Sequence, residues 1–194
     1  MLKKIICVFL ILMCTSMTIY AEDRQQERTT NLVATEIREL TYEEAIDTIM
    51  AKKQVSEREA KDILGIVPRN TRIVQKIEEF DFGSNSIVEV GAMYLEWFEG
   101  SFRQLNELKY CWSALVSSSN TTYEEIFCVD MIESYPTITG HIRARGTVVR
   151  TISSSLEGSL GAELEGLGFE LSGSSSSEMY YRKTDNMDLI YDLY

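Results

Sequence analysis

Apolar positions change their spacing along this chain, and the change divides it into a helical front and a β-rich back. Thr41-Tyr42-Glu43-Glu44 opens a run in which Ala45, Ile46, Ile49 and Met50 fall on one helical face. A hydroxyl followed three residues later by a glutamate predicts a capping box, in which each side chain accepts a backbone N–H from the other's end of the turn. Ser56-Glu57-Arg58-Glu59 repeats the box after a break at Gln54-Val55. Ala60, Ile63 and Leu64 make the second stripe, and Gly65 supplies a stop. The spacing predicts a helical hairpin of Thr41–Lys53 and Ser56–Leu64 within segment 41–66. Residues 22–40 are polar and weakly periodic, which predicts a flexible lead-in with a short helical patch around Leu32–Leu40.

From residue 70 to residue 194 the pattern is that of an antiparallel β-domain. Thr71–Phe82 is rich in β-branched and aromatic residues and ends at the turn signal Gly83-Ser84-Asn85-Ser86. Ile87–Val90 restarts a strand that Ala92–Phe98 extends, and Glu99-Gly100-Ser101 breaks it. Phe102–Leu108 reads as a helical turn or a loop. Leu108–Val116 and Glu124–Met131 read as strands. Thr137–Ile152 gives the longest alternation: Ile138, Gly140, Ile142, Ala144, Gly146, Val148, Arg150 and Ile152 share one face, with His141, Arg143 and Arg145 on the other. Leu160, Ala162 and Leu164 also alternate, and the phase flips after Gly166, as at a β-bulge. Glu178–Lys183 and Met187–Tyr194 read as the last strands. The fold class expected is α+β: a signal helix and a short helical hairpin, followed by an antiparallel β-sandwich with one disulfide.

The first residues add a destination. Lys3-Lys4, an apolar run from Ile5 to Met13, and Ala21 just before a charged segment read as a secretory signal peptide over residues 1–21. An uncleaved anchor is the rival, but the uncharged span is short and its second half is polar. Lipidation at Cys14 would put the bulky Met13 where the peptidase needs a small residue. Removal of the signal takes away Cys7 and Cys14 and leaves Cys111 and Cys128, which in an exported chain predicts a disulfide, with two buried thiols as the alternative. The protein is expected outside the cell or on the outer face of its envelope.

Charge narrows the partners. The chain carries a formal −11, and loss of Lys3 and Lys4 makes it more acidic. Nucleic acid and anionic membrane both demand a positive surface. The same acidity removes a helix-turn-helix reading of the hairpin, whose Glu43, Glu44, Asp47, Glu57, Glu59 and Asp62 would face a polyanion. Membrane contact is expected only through an uncleaved signal segment or weakly.

No coherent catalytic set emerges, no cofactor is implied, and the chain is read as a non-enzyme. His141 is the only histidine, and no serine sits in a nucleophile elbow. Glu163, Glu165 and Glu170 could serve carboxylate-dependent hydrolysis, but their stretch reads as merely amphipathic. Thr147–Ser177 reads as an amphipathic strand pair of the kind a β-pore former inserts, though its apolar face is short. Asp185-Asn186-Met187-Asp188 with Asp192 lacks the glycine and terminal glutamate of a calcium loop. Tyr180, Tyr181, Tyr191 and Tyr194 crowd the C-terminus, where they form either a contact surface for a protein or glycan or the end of a sandwich core.

The order of features resembles a loose group of small secreted proteins of Gram-positive bacteria that pair a T-Y-E-E-A helical hairpin with a β-domain. The residues that carry the likeness are Thr41-Tyr42-Glu43-Glu44-Ala45-Ile46, Ser56-Glu57-Arg58-Glu59-Ala60, Tyr110-Cys111, Gly140, Gly158–Phe169 and the tyrosine-rich end. The group has no established activity to carry over. The resemblance implies export and a β-domain with an N-terminal helical piece.

Overall fold

The computed structural model describes residues 31–117 and 120–194. The expected signal peptide, with Cys7 and Cys14, lies outside the described residues. In chain order the elements are β1 (Asn31–Leu40), α1 (Tyr42–Lys53), α2 (Glu57–Leu64), β2 (Thr71–Asp81), β3 (Ile87–Glu99) and β4 (Phe102–Ser117). Then follow β5 (Thr121–Asp130), β6 (Thr139–Ser153), a helical stretch that ends in α3 (Ala162–Gly166), β7 (Glu170–Ser174) and β8 (Glu178–Asp192). Strands β1–β4 form one antiparallel sheet in the order β1-β2-β3-β4, and the rest form a second in the order β5-β6-β8-β7.

The helical hairpin forms as its sequence predicts. Thr41 and Ser56 are the N-caps, and both capping boxes are complete. Glu44 Oε2 accepts the Thr41 N–H at 2.7 Å, and Glu59 Oε2 accepts the Ser56 N–H at 2.9 Å. These bonds satisfy amides that a helix start leaves without partners. Ala45, Ile46, Ile49, Ala60 and Leu64 turn inward onto Ile73, Met93, Leu95 and Trp112 of the first sheet.

The opposite face of that sheet meets the second sheet. Val74, Phe80, Val88, Val90, Ala92, Tyr94 and Leu105 pack against Ile142, Ala144, Val148, Met179, Tyr181, Met187, Leu189 and Tyr191. The result is three layers: helices, sheet, sheet. Strand β3 lies in the middle layer, which is why Val88 through Glu96 are all buried although successive residues point to opposite faces. The face assignment read from Thr137–Ile152 holds in part: Gly140, Ile142, Ala144, Gly146, Val148 and Ile152 are buried and Arg143 and Arg145 exposed, but Ile138, expected inward, is exposed and Thr147, expected outward, is buried.

Four expectations are corrected. Residues 31–40, expected as lead-in with a helical patch, form β1, paired with β2 from Asn31↔Asp81 to Leu40↔Ile73. Phe102–Leu108 is the first half of β4, bent by register shifts near Tyr94 and Glu96 of its partner. The alternation at Leu160-Ala162-Leu164 is not a strand. Residues 154–166 are helical, with Leu164 buried and Leu160 half-exposed. A spacing of four residues satisfies a helix as well as a strand, and here the helix wins.

The fourth concerns the cysteines. Cys111 on β4 and Cys128 on β5 are thiols, and the expected disulfide is not at bonding distance. Their strands belong to different sheets, so the pair spans the seam where β4 and β5 meet. There Cys111 Sγ donates to the Cys128 carbonyl at 3.4 Å.

Candidate interaction surface

The two sheets differ in what covers them. The outer face of the first sheet lies beneath α1 and α2. Among the described residues, nothing covers the outer face of the second. Alternation along β6 and β8 decides its composition: every second residue of each strand enters the core, and the others point away. β6 contributes His141, Arg143, Arg145 and Thr147; β8 contributes Tyr180, Arg182, Thr184, Asp188 and Ile190. On β5, Phe127 and Val129 stand opposite Arg145 and Arg143. Val129 and Ile190 are 43% and 47% exposed, which marks apolar area beside the arginines rather than a uniformly charged face.

The charged groups on this face are partly ordered. His141 Nε2 donates to Asp188 Oδ1 at 2.8 Å, and Arg143 Nε donates to the same oxygen at 2.9 Å. Partial burial acts to raise the Asp188 carboxyl. The bonds from His141 and Arg143 outweigh it and hold the group below the ordinary carboxylate range. Arg182 bonds Glu124 at 3.3 Å. Arg145 makes no ion pair among the described residues. Toward β7, the face dips into an open depression of about 510 Å³ lined by Thr147, Glu170, Ser172, Arg182 and Thr184.

The four tyrosines singled out in the sequence are not brought together. Tyr181 and Tyr191 are core residues, 2% and 3% exposed, as the sandwich-core alternative expects. Tyr180 lies on the open face and donates to Glu178 Oε2 at 2.8 Å. Tyr194 is exposed at the end of the sandwich, where its hydroxyl accepts the Arg103 N–H at 2.6 Å. Glu163 and Glu165 are exposed on α3 and Glu170 is exposed on β7. Asp185, Asn186 and Asp188 lie along an extended strand whose neighbours face opposite ways. Among the described residues, no three histidine, cysteine, aspartate or glutamate side chains converge to hold a metal.

Among the described residues, the one fully enclosed acid is Glu96, at the end of the inward row of β3. Arg103 donates to it through Nε and Nη2 at 2.6 and 3.0 Å, Arg72 through Nε and Nη2 at 3.1 and 2.7 Å, and the Tyr191 hydroxyl at 3.1 Å. Burial acts to raise its carboxyl, and the arginine bonds outweigh burial and hold it below the ordinary range. Burial, then the Glu96 charge, pushes the Tyr191 phenol up to about 12. With both Glu96 oxygens bonded to arginine or tyrosine, the cluster ties the two sheets together.

The cysteine seam is the other polar site at the sandwich edge. Tyr123 donates to Ser113 Oγ at 2.8 Å, and Ser113 donates to Glu125 Oε2 from both N–H and Oγ, at 2.9 and 2.7 Å. Hydrogen bonding to Cys111, then burial, keeps the Cys128 thiol protonated well above the ordinary range. Comparison with protein-family models, curated proteins and solved structures finds no match to this chain.

Proposed function

We propose that the protein is exported and acts without chemistry of its own, by contact of one surface with a protein or glycan at the cell envelope or outside the cell. The observation that carries this reading is the outer face of the second sheet, uncovered among the described residues, where half-exposed Val129 and Ile190 adjoin Arg143 and Arg145, the latter with no ion pair among those residues. Apolar area beside arginine is the composition of contact surfaces. The sequence supports export through its N-terminal pattern, and the acidity of the chain disfavours nucleic acid and anionic lipid. The helical stretch at 154–166 also interrupts the strand pair on which a pore-forming reading depends. No described helix is long and apolar enough to cross a membrane.

The test is binding of the full exported protein to purified cell wall and, separately, to lipid vesicles. Retention on the wall is expected, and Arg145→Glu with Val129→Asp is expected to weaken it about tenfold, because arginine anchors on such faces dominate affinity. Leakage of vesicle contents at low dose would replace this reading with a pore former. Turnover of a glycan or peptide that Glu163→Gln abolishes would replace it with a hydrolase.

A further inference from the structure

Strand β1 is an open sheet edge of unusual length. It is hydrogen-bonded to β2 on one side, and among the described residues nothing pairs with the other. Native edges are commonly shortened, bulged or turned away, because a free row of N–H and C=O groups is a template for another chain. The other edges here follow that rule. β7 has five residues and an irregular register. β5 is bulged between Glu125 and Phe127 and adjoins β4. β4 is closed against the second sheet by the Leu105↔Thr137 bridge and the cysteine seam. The only irregularity of β1 lies at its start, between Leu32 and Ala34. From Ala34 to Leu40 its register on β2 is unbroken. Leu32, Val33 and Ile37 are 54%, 55% and 52% exposed.

We propose that β1 is the pairing edge of a homodimer. Two copies run antiparallel about a twofold axis through Ile37, perpendicular to the sheet, and the first sheets join into one of eight strands. The occupant follows from charge. A twofold through Ile37 sets Glu36 opposite Arg38 of the partner subunit, and does so twice, on the side that carries the helices. It places the two Ile37 side chains against each other on the reverse side, and Ala34 opposite Leu40. A twofold through Glu36 would oppose glutamate to glutamate, and one through Arg38 arginine to arginine. One through Thr35 makes no ion pair at all. The strand is therefore complementary to itself in one register, and opposite charges facing across strands favour that register while like charges disfavour the others. The groove beside α1 leaves room for it. This open groove of about 570 Å³ runs between Glu36, Arg38 and Gln75 of the sheet and Glu44, Asp47 and Thr48 of α1, so α1 flanks the paired charges and leaves them open to solvent. The Glu36 and Arg38 side chains are 62% and 47% exposed.

Sedimentation of the full chain across a wide concentration range tests the proposal. A reversible monomer–dimer equilibrium is expected. E36R alone opposes arginine to arginine at both pairs and should weaken the dimer by roughly tenfold or more. Adding R38E in the same chain restores opposite charges at both pairs and should restore the dimer. Glu36 is solvent-facing and Arg38 is half-exposed, with Nε donating to Gln75 Oε1 at 2.8 Å, so circular dichroism should show the native fold in every variant, with R38E losing only that one bond. A monomer at all concentrations overturns the proposal. So does a dimer that E36R leaves unchanged, or one that the double exchange fails to recover.

Discussion

Glu96→Ala is expected to destabilise the protein by about 3–5 kcal/mol, the usual cost of removing one partner from a buried charge cluster. For a chain of this size, that is a fall in thermal midpoint on the order of 10 °C. The magnitude follows from what the substitution strands. Glu96 is wholly enclosed, and it accepts five hydrogen bonds from Arg72, Arg103 and Tyr191. Without it, two guanidinium groups about two-thirds covered by protein face each other with only the exposed Glu39 left beside Arg72, and Tyr191 loses the acceptor for its hydroxyl. Tyr191 belongs to β8 and both arginines to the first sheet, so the loss falls on the joint between the layers. Tyr191→Phe removes one bond of the set and should cost only about 1 kcal/mol.

The acid limb of the stability curve gives a second readout of the same site. The Glu96 carboxyl is held below its ordinary range in the folded protein. Its stabilisation is therefore present above the unfolded-state value near pH 4 and is lost as pH falls through the depressed folded value. Glu96→Gln cannot ionise. The stability difference between wild type and Glu96→Gln should be largest near neutrality and shrink on acidification. Equal denaturant midpoints at neutral pH would remove Glu96 from the account of how the sheets are joined.

How much of this was legible in the sequence depended on whether each signal was local. The capping boxes at Thr41 and Ser56 each lie within four residues, and both form as read. The alternation read from Thr137–Ile152 survives from Gly140 to Gly146, where one side of β6 meets a core and the other meets solvent. β1 was not legible, because an edge strand exposed on both faces has no burial to impose a period; its pairing with β2 decides it. Residues 154–166 carry an ambiguous pattern, because Leu160 and Leu164 are four apart, a spacing common to both periods. The Glu96 cluster had an unread local sign. Val88, Val90, Ala92 and Tyr94 form an inward row, and Glu96 is its next member, an acid where alternation demands an apolar group. What it pairs with was not legible, since Tyr191 is 95 residues away. Alternation also separates Tyr180 from Tyr181, so the terminal tyrosines could not all have shared one surface.

Gly91→Val is expected to cost about 3 kcal/mol, at the upper end of what overpacking a well-filled core produces. Gly91 lies at the middle of β3, directly opposite Trp112 of β4. A Cβ at Gly91 would fall 2.1 Å from Trp112 Cζ2 and 2.2 Å from Cε2, inside the indole ring itself. The ring cannot step aside cheaply. Its Nε1 donates to Glu89 Oε1 at 2.8 Å, its face stacks on Tyr110 with centroids 5.6 Å apart, and the indole lies within the core that the helical hairpin shares with the first sheet. Lys52 of α1 shares the same Glu89 oxygen, so displacing the indole also disturbs the seat of the hairpin. The strand tolerates glycine's extra backbone freedom because the ring needs the space. The cause can be isolated by a double-mutant cycle. Gly91→Ala should be destabilising in the native background and close to neutral once Trp112→Leu has emptied the site. An equal cost of Gly91→Ala in both backgrounds would place the strain elsewhere in β3, and a Gly91→Val protein as stable as wild type would contradict the close packing of indole on glycine.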